Sequence, residues 1–221
     1  MKKIIPFLGI FLFSNIIYAQ ILNINNTNDS ESFFTPQQLI EEVLISGTCA
    51  QVENFSAVSN GTPADNENKS YGYFKRPAGS DFPFEEGIIL TSGEAFPAGN
   101  NLDPTTIDNN NSLAGDTDLE LALGQTGTAD ATFVKFQFTP SSTSISFRYL
   151  MASEEYNQNF ECDYADAFAF LLRPVGSATY TNLAIIPETN TPVSTVNVHP
   201  LVPGACAAIN EDYFEGYNLG D

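Results

Sequence analysis

Between Thr132 and Met151 the side chains alternate with the period of a β-strand, twice over. Thr132, Val134, Phe136 and Phe138 fall on one face, and Phe133, Lys135 and Gln137 on the other. A strand sends successive side chains to opposite sides, so this is the pattern of a half-buried strand. Pro140-Ser141-Ser142 supplies a turn. Ile145, Phe147, Tyr149 and Met151 then alternate with Ser144, Ser146 and Arg148. Together the two runs predict a β-hairpin. Residues 167–172, 183–186 and 87–90 are apolar on both faces, as strands in the middle of a sandwich are, and residues 71–74 add another. Strands at this spacing, punctuated by Gly, Pro and Asn, with almost no later helix pattern, predict a mainly β fold. The expected form is a two-sheet antiparallel sandwich, jelly-roll-like, with one short N-terminal helix.

That helix is expected over residues 35–45. Thr35 is placed to accept from the free N–H groups of a first turn, Pro36 fits the first helical position, and Gln38 completes a capping box. Leu39 and Val43, with Ile40 and Leu44, repeat at four-residue spacing and give the helix an apolar face. Gly47 is expected to end it.

The chain starts like an exported protein. Lys2 and Lys3 precede an apolar run over residues 4–13 broken only by Pro6 and Gly9. A second apolar patch at 16–18 leads to Ala19 and Gln20. This order predicts a secretory signal peptide over residues 1–19, cut between Ala19 and Gln20. Residues 20–34, rich in Asn, Ser and Asp and without a clear period, read as a polar linker. The domain proper is expected over 35–221. Its last segment shows no closing strand pattern, so the final strands and any C-terminal anchor are expected to lie beyond Asp221.

Loss of Lys2 and Lys3 with the leader takes the formal charge from −19 to −21. Such a surface repels phosphate backbones and anionic headgroups, which argues against nucleic-acid partners and against membrane association other than through an anchor. Disorder is excluded on other grounds: charged residues are only 16%, while 18 Phe and 9 Tyr supply core material. Of the three cysteines, Cys162 and Cys206 sit beside polar loop residues that flank expected strands, and they are the expected disulfide pair. Cys49, in a more apolar setting, reads as a small buried residue.

Chemistry concentrates in residues 152–166, which follow one expected strand and precede the most apolar one. This segment holds Glu154, Glu155, Glu161, Asp163 and Asp166. Calcium takes six to eight oxygen ligands, and Asp116 and Asp118 from the long polar stretch 97–118 are candidates to join Glu154, Glu155 and Asp166 around one ion. The competing reading is that these acids cap turns. Paired carboxylates also suit a glycosidase, but neighbours such as Glu154 and Glu155 would face opposite ways in a strand, and the chain has no Trp to seat a sugar. A Ser–His–Asp hydrolase would rest on the single histidine, His199, without a Gly-x-Ser-x-Gly elbow. One His and three scattered Cys lack zinc spacing. Tyr156, Tyr164, Tyr213 and Tyr217 lie near loops, where they line either a binding face or simply the surface.

Several segments, taken in order, resemble a known family. They are Phe84-Glu85-Glu86-Gly87-Ile88-Ile89-Leu90-Thr91-Ser92-Gly93, then Gly115-Asp116-Thr117-Asp118-Leu119, then Ala152-Ser153-Glu154-Glu155-Tyr156 after its strand. Tyr164-Ala165-Asp166-Ala167-Phe168 and Asn182-Leu183-Ala184-Ile185-Ile186-Pro187-Glu188 follow. The order resembles the choice-of-anchor L domain of surface proteins from Bacteroidetes-type bacteria. The resemblance implies a secreted or outer-surface protein, with relatives often carrying a sorting domain of the type IX secretion system. It implies no catalytic residues. The expectation is a surface adhesion or binding module, calcium-stabilised, that meets a surface glycan or protein. A secreted carbohydrate-active hydrolase and a ligand-free display domain are the alternatives.

Overall fold

The computed structural model describes residues 22–45, 50–100, 109–141 and 143–217. The expected leader with its Ala19–Gln20 cut, Gly47 and Cys49 lie outside the described residues. The architecture is mixed and strand-rich, with several small antiparallel sheets and one longer helix.

The first sheet is built on β3 (Tyr71–Lys75), flanked by β1 (Asn23–Ile24) and β4 (Glu86–Leu90), both antiparallel to it. Both faces of β3 are buried. Phe74 packs with Leu22, Ile24 and Ala95, while Tyr71 and Tyr73 pack on Leu39. Leu22 and Ile24, within the stretch expected as a linker, are therefore part of the core. Sequence pattern missed them because β1 has only two residues, too few to show a period. Asn25 locks this strand in place. Its backbone is left-handed (φ 51°), its Nδ2 donates to Tyr71 O (3.2 Å), and its Oδ1 accepts from Tyr73 N (3.2 Å). Gly72 makes the approach possible, since a Cβ there would stand 2.0 Å from Asn25 Oδ1.

Helix α1 starts at Pro36–Gln38 and continues as a π-helical stretch over Leu39–Leu44. The capping box forms as expected: Thr35 Oγ1 accepts from Gln38 N (3.2 Å) and Gln38 Oε1 accepts from Thr35 N (3.0 Å). Leu39 and Ile40 are buried. The widened turn is seen in the bond from Ile45 N to Ile40 O, five residues back (2.9 Å).

The second sheet pairs β2 (Ala50–Val58) with β5 (Phe133–Pro140), antiparallel, with a register shift between Glu53 and Ser56. The expected strand at 132–138 is thus present, but its ladder partner is β2 and not residues 145–151. Between them come α2 (Pro97–Asn100) and α3 (Thr117–Leu123). Helix α3 corrects the expectation of almost no later helix. Asp116 caps it by accepting from Leu119 N (2.7 Å), and Gly124 ends it in the left-handed region (φ 64°).

The third sheet pairs β6 (Leu171–Leu172) with β7 (Thr181–Asn182). Its surroundings keep strand-like registers. Phe147 stacks on Phe170 (5.1 Å between centroids) and Tyr149 on Phe168 (5.5 Å). Two residues forward on one segment match two back on the other, the register of an antiparallel pair. Leu183 N donates to Phe170 O (2.8 Å), Val193 N to Ala184 O (3.0 Å) and Ile186 N to Thr191 O (2.9 Å). Among the described residues these elements do not form a closed two-sheet sandwich.

Candidate binding face

Loops on either side of this third sheet in the chain collect several of the exposed aromatics. Tyr156 follows the turn at Glu154–Glu155. Gln158 and Asn159 take left-handed backbone (φ 55° and 70°) and feed a 3-10 turn at Phe160–Cys162. That turn is fixed from three sides. Cys162 is disulfide-bonded to Cys206 (S–S 2.00 Å). Thr195 Oγ1 donates to Tyr164 O (2.6 Å), and Tyr156 OH donates to Val198 O (2.7 Å).

On this frame the rings gather. Tyr156, Phe214 and Tyr217 contact one another at 5.0 to 6.5 Å between centroids. Phe160 meets Tyr164 edge-on at 5.4 Å. Glu161 joins the two groups: it is 2% exposed, and its Oε1 accepts from Tyr217 OH (3.0 Å). Burial pushes the Tyr156 hydroxyl up to about 12, with the Glu161 carboxylate and then Tyr217 adding to the effect. Tyr217 is raised by burial and by its bond to Glu161. These hydroxyls stay neutral at any physiological pH and spend their protons on Val198 O and Glu161, so what the face offers is ring surface. Tyr164 is 57% exposed and, with Phe160 and Tyr217, gives partly exposed aromatic surface around a fixed scaffold; Tyr213, 49% exposed, adjoins Phe214 in the chain.

The five residues expected to share calcium are not gathered into one cluster. Asp116 caps α3. Asp118 pairs with Lys135 (3.0 Å), whose ammonium also lies over the Tyr180 ring (5.3 Å). Asp166 Oδ2 accepts from Ser153 Oγ (2.5 Å), and Ser153 Oγ accepts from Glu155 N (3.1 Å). Glu154 and Glu155 lie in the turn just after Ser153. Among the described residues no group of three or more His, Cys, Asp or Glu side chains stands close enough to hold a metal ion. Turn and helix capping accounts for Asp116. His199 is buried beside the disulfide, with Nδ1 2.9 Å from Pro200 O and 3.8 Å from Cys206 Sγ. Phe160, Glu161 and Phe214 were not singled out for this face in the sequence, because an isolated aromatic or acid in a loop carries no period.

A disulfide-closed, strand-rich and strongly acidic domain belongs to the class of proteins that work at or outside the cell surface. The sequence profile of the choice-of-anchor L domain matches residues 25–221, and the chain belongs to that family. Neither the curated proteins nor the solved structures include a match.

Proposed function

We propose that this is a non-catalytic adhesion module, displayed at the outer surface and tethered by a separate sorting or anchoring segment of the type IX kind. Its ligand is a surface glycan or protein, met by the aromatic face around Phe160, Tyr164, Tyr213 and Tyr217. The observation that carries this reading is the combination of exposed rings with a rigid support. Aromatic residues left partly in water lose little conformational entropy on binding, and here the disulfide and the Glu161–Tyr217 bond hold the backbone beneath them. We also read residues 145–151, 167–172, 181–186 and 191–193 as successive strands of a sandwich sheet, on the strength of their antiparallel ring and hydrogen-bond registers.

The test is a screen of immobilised glycans and extracellular proteins with the mature chain and with a Phe160→Ala/Tyr164→Ala variant. The reading expects a ligand that the wild type binds and the variant binds at least tenfold more weakly, with unchanged thermal midpoint. Hydrolysis of a screened glycan by the wild type would instead make this a carbohydrate-active enzyme.

A further inference from the structure

Cations are scarce in this chain, with 8 Lys and Arg against 27 Asp and Glu. Most of those beyond the expected leader are engaged by oxygen. Lys69 is buried among carbonyls, Lys75, Arg76 and Lys135 pair with Asp29, Glu85 and Asp118, and Arg148 donates to Pro83 O (3.4 Å). Arg173 differs from all of these. It is exposed, and among the described residues its guanidinium has neither an ion pair nor a hydrogen bond.

The third sheet places this side chain. Leu172 stands opposite Thr181 in the β6–β7 ladder, so Arg173 and Tyr180, one step nearer the turn, face each other across the hairpin. The turn is closed by Ser177 N donating to Pro174 O (3.0 Å), with Gly176 in the left-handed region (φ 86°). The guanidinium carbon lies over the Tyr180 ring, 4.3 Å from its centroid, and the Lys135 ammonium lies 5.3 Å from the same centroid. Contact with a ring face uses none of the five N–H donors of an arginine. Arg173 is thus held in position with its hydrogen-bonding capacity intact, and a ligand that meets it has less side-chain freedom to freeze.

The donors and the surrounding field define the ligand. A guanidinium fork matches two oxygens of a carboxylate or a sulfate. Asp118 balances Lys135, so this neighbourhood carries about one net positive charge within a strongly negative chain. The wider field repels a densely charged polyanion such as an acidic peptide, but not a lone oxyanion set among neutral hydroxyls. The Asp118 carboxylate, whose side chain is 41% exposed, remains an acceptor for such hydroxyls. A sugar bearing one carboxylate or sulfate meets both conditions.

We propose that Arg173, seated on Tyr180 beside Lys135, binds the carboxylate or sulfate of an acidic surface glycan. That the ligand is a surface glycan rests on the adhesion reading above, but the contact shares no residue with the aromatic face.

Proton–nitrogen NMR of the mature chain at constant ionic strength tests this. The Arg173 Nε–Hε signal is followed against glucuronate, glucose 6-sulfate, glucose and a triglutamate peptide. The expected result is a saturable shift with glucuronate, glucose 6-sulfate or both, the responding sugar identifying the oxyanion, and no shift with glucose. Arg173→Gln should keep the thermal midpoint and abolish the accompanying shifts at Tyr180, and Arg173→Lys, which loses the fork, should bind at least threefold more weakly. The Phe160→Ala/Tyr164→Ala variant should respond like wild type, which separates failure of the aromatic face from failure of this contact. Absence of a saturable shift at Arg173 with either charged sugar, or an equal shift at Arg148, the guanidinium over Phe84, would overturn the proposal. Triglutamate bound as tightly as the sugars would overturn it as well.

Discussion

Among the described residues, Lys69 is the one lysine that the fold buries. Its ammonium donates to Ser32 O, has longer contacts of 3.5 Å to Pro63 O and to Asn66 Oδ1, and lies 5.2 Å from the Tyr71 ring centroid. It thereby ties the N-terminal segment and the 60s loop to the first sheet. Burial lowers its pKa from 10.5 to about 8, partly offset by the Asp65 carboxylate. Below pH 8 both folded and unfolded chains are protonated here, and the folded state bears the full desolvation cost, on the order of 3 kcal/mol. Between pH 8 and 10.5 the unfolded chain holds more protons at this site than the folded one, so stability from this group rises with pH. The gain should reach about 1 kcal/mol at pH 9 and about 2 to 3 kcal/mol at pH 10. Replacing the ammonium with an apolar chain of similar length, Lys69→Met, removes the titration. Urea unfolding of wild type and Lys69→Met from pH 7 to 10 should show the difference between the two curves changing by those amounts in favour of the wild type. Raised tyrosines such as Tyr73 and Tyr156 pull the other way above pH 10, but they do so equally in both proteins. A constant difference across that range would refute the reasoning and mean that Lys69 is hydrated.

Three further outcomes follow from named contacts. Gly72→Ala should cost about 2 to 4 kcal/mol, because the new Cβ expels the Asn25 amide from both its bonds to β3; chemical denaturation measures it. Cys206→Ser should lower stability by about 4 kcal/mol, from the loop entropy of a bridge spanning 44 residues, and reducing agent should reproduce the loss in the wild type but add nothing in the variant. If residues 145–151 and 167–170 pair as their stacked rings indicate, their amides should exchange with deuterium as slowly as those of β5, whereas rapid exchange would remove them from the sheet.

The parts of the fold legible in the sequence were those whose signal is local. Thr35, Pro36 and Gln38 announce the start of α1 because a capping box is complete within four residues. β3, β4 and β5 announce themselves by period or by continuous apolar character. What escaped depends on contacts between distant segments. β1 is too short for a pattern and is defined by Asn25 reaching the backbone of β3, 46 and 48 residues away. Helix α3 was hidden because its cap, Asp116, and its acidic first turn read equally well as metal ligands. The same ambiguity governs the candidate site: carboxylates of two polar stretches read as one calcium set, yet Asp118 is drawn to Lys135 and Asp116 to its own helix. The loop tyrosines were visible as surface candidates, but their assembly with Phe160 and Phe214 requires the Glu161–Tyr217 bond, which joins residues 56 apart.

The most direct test of the central claim compares ligand affinity across single exposed-residue variants of the mature chain. Using the ligand found in the screen, surface plasmon resonance would be run on Phe160→Ala, Tyr164→Ala and Tyr213→Ala, with Leu121→Ala and Val175→Ala as controls at more exposed apolar residues. The account predicts that at least two of the three aromatic variants lose tenfold or more, about 1.4 kcal/mol each, with unchanged thermal midpoints, while both controls bind like wild type. Wild-type affinity in all three aromatic variants, or a loss confined to Leu121→Ala or Val175→Ala, would contradict it.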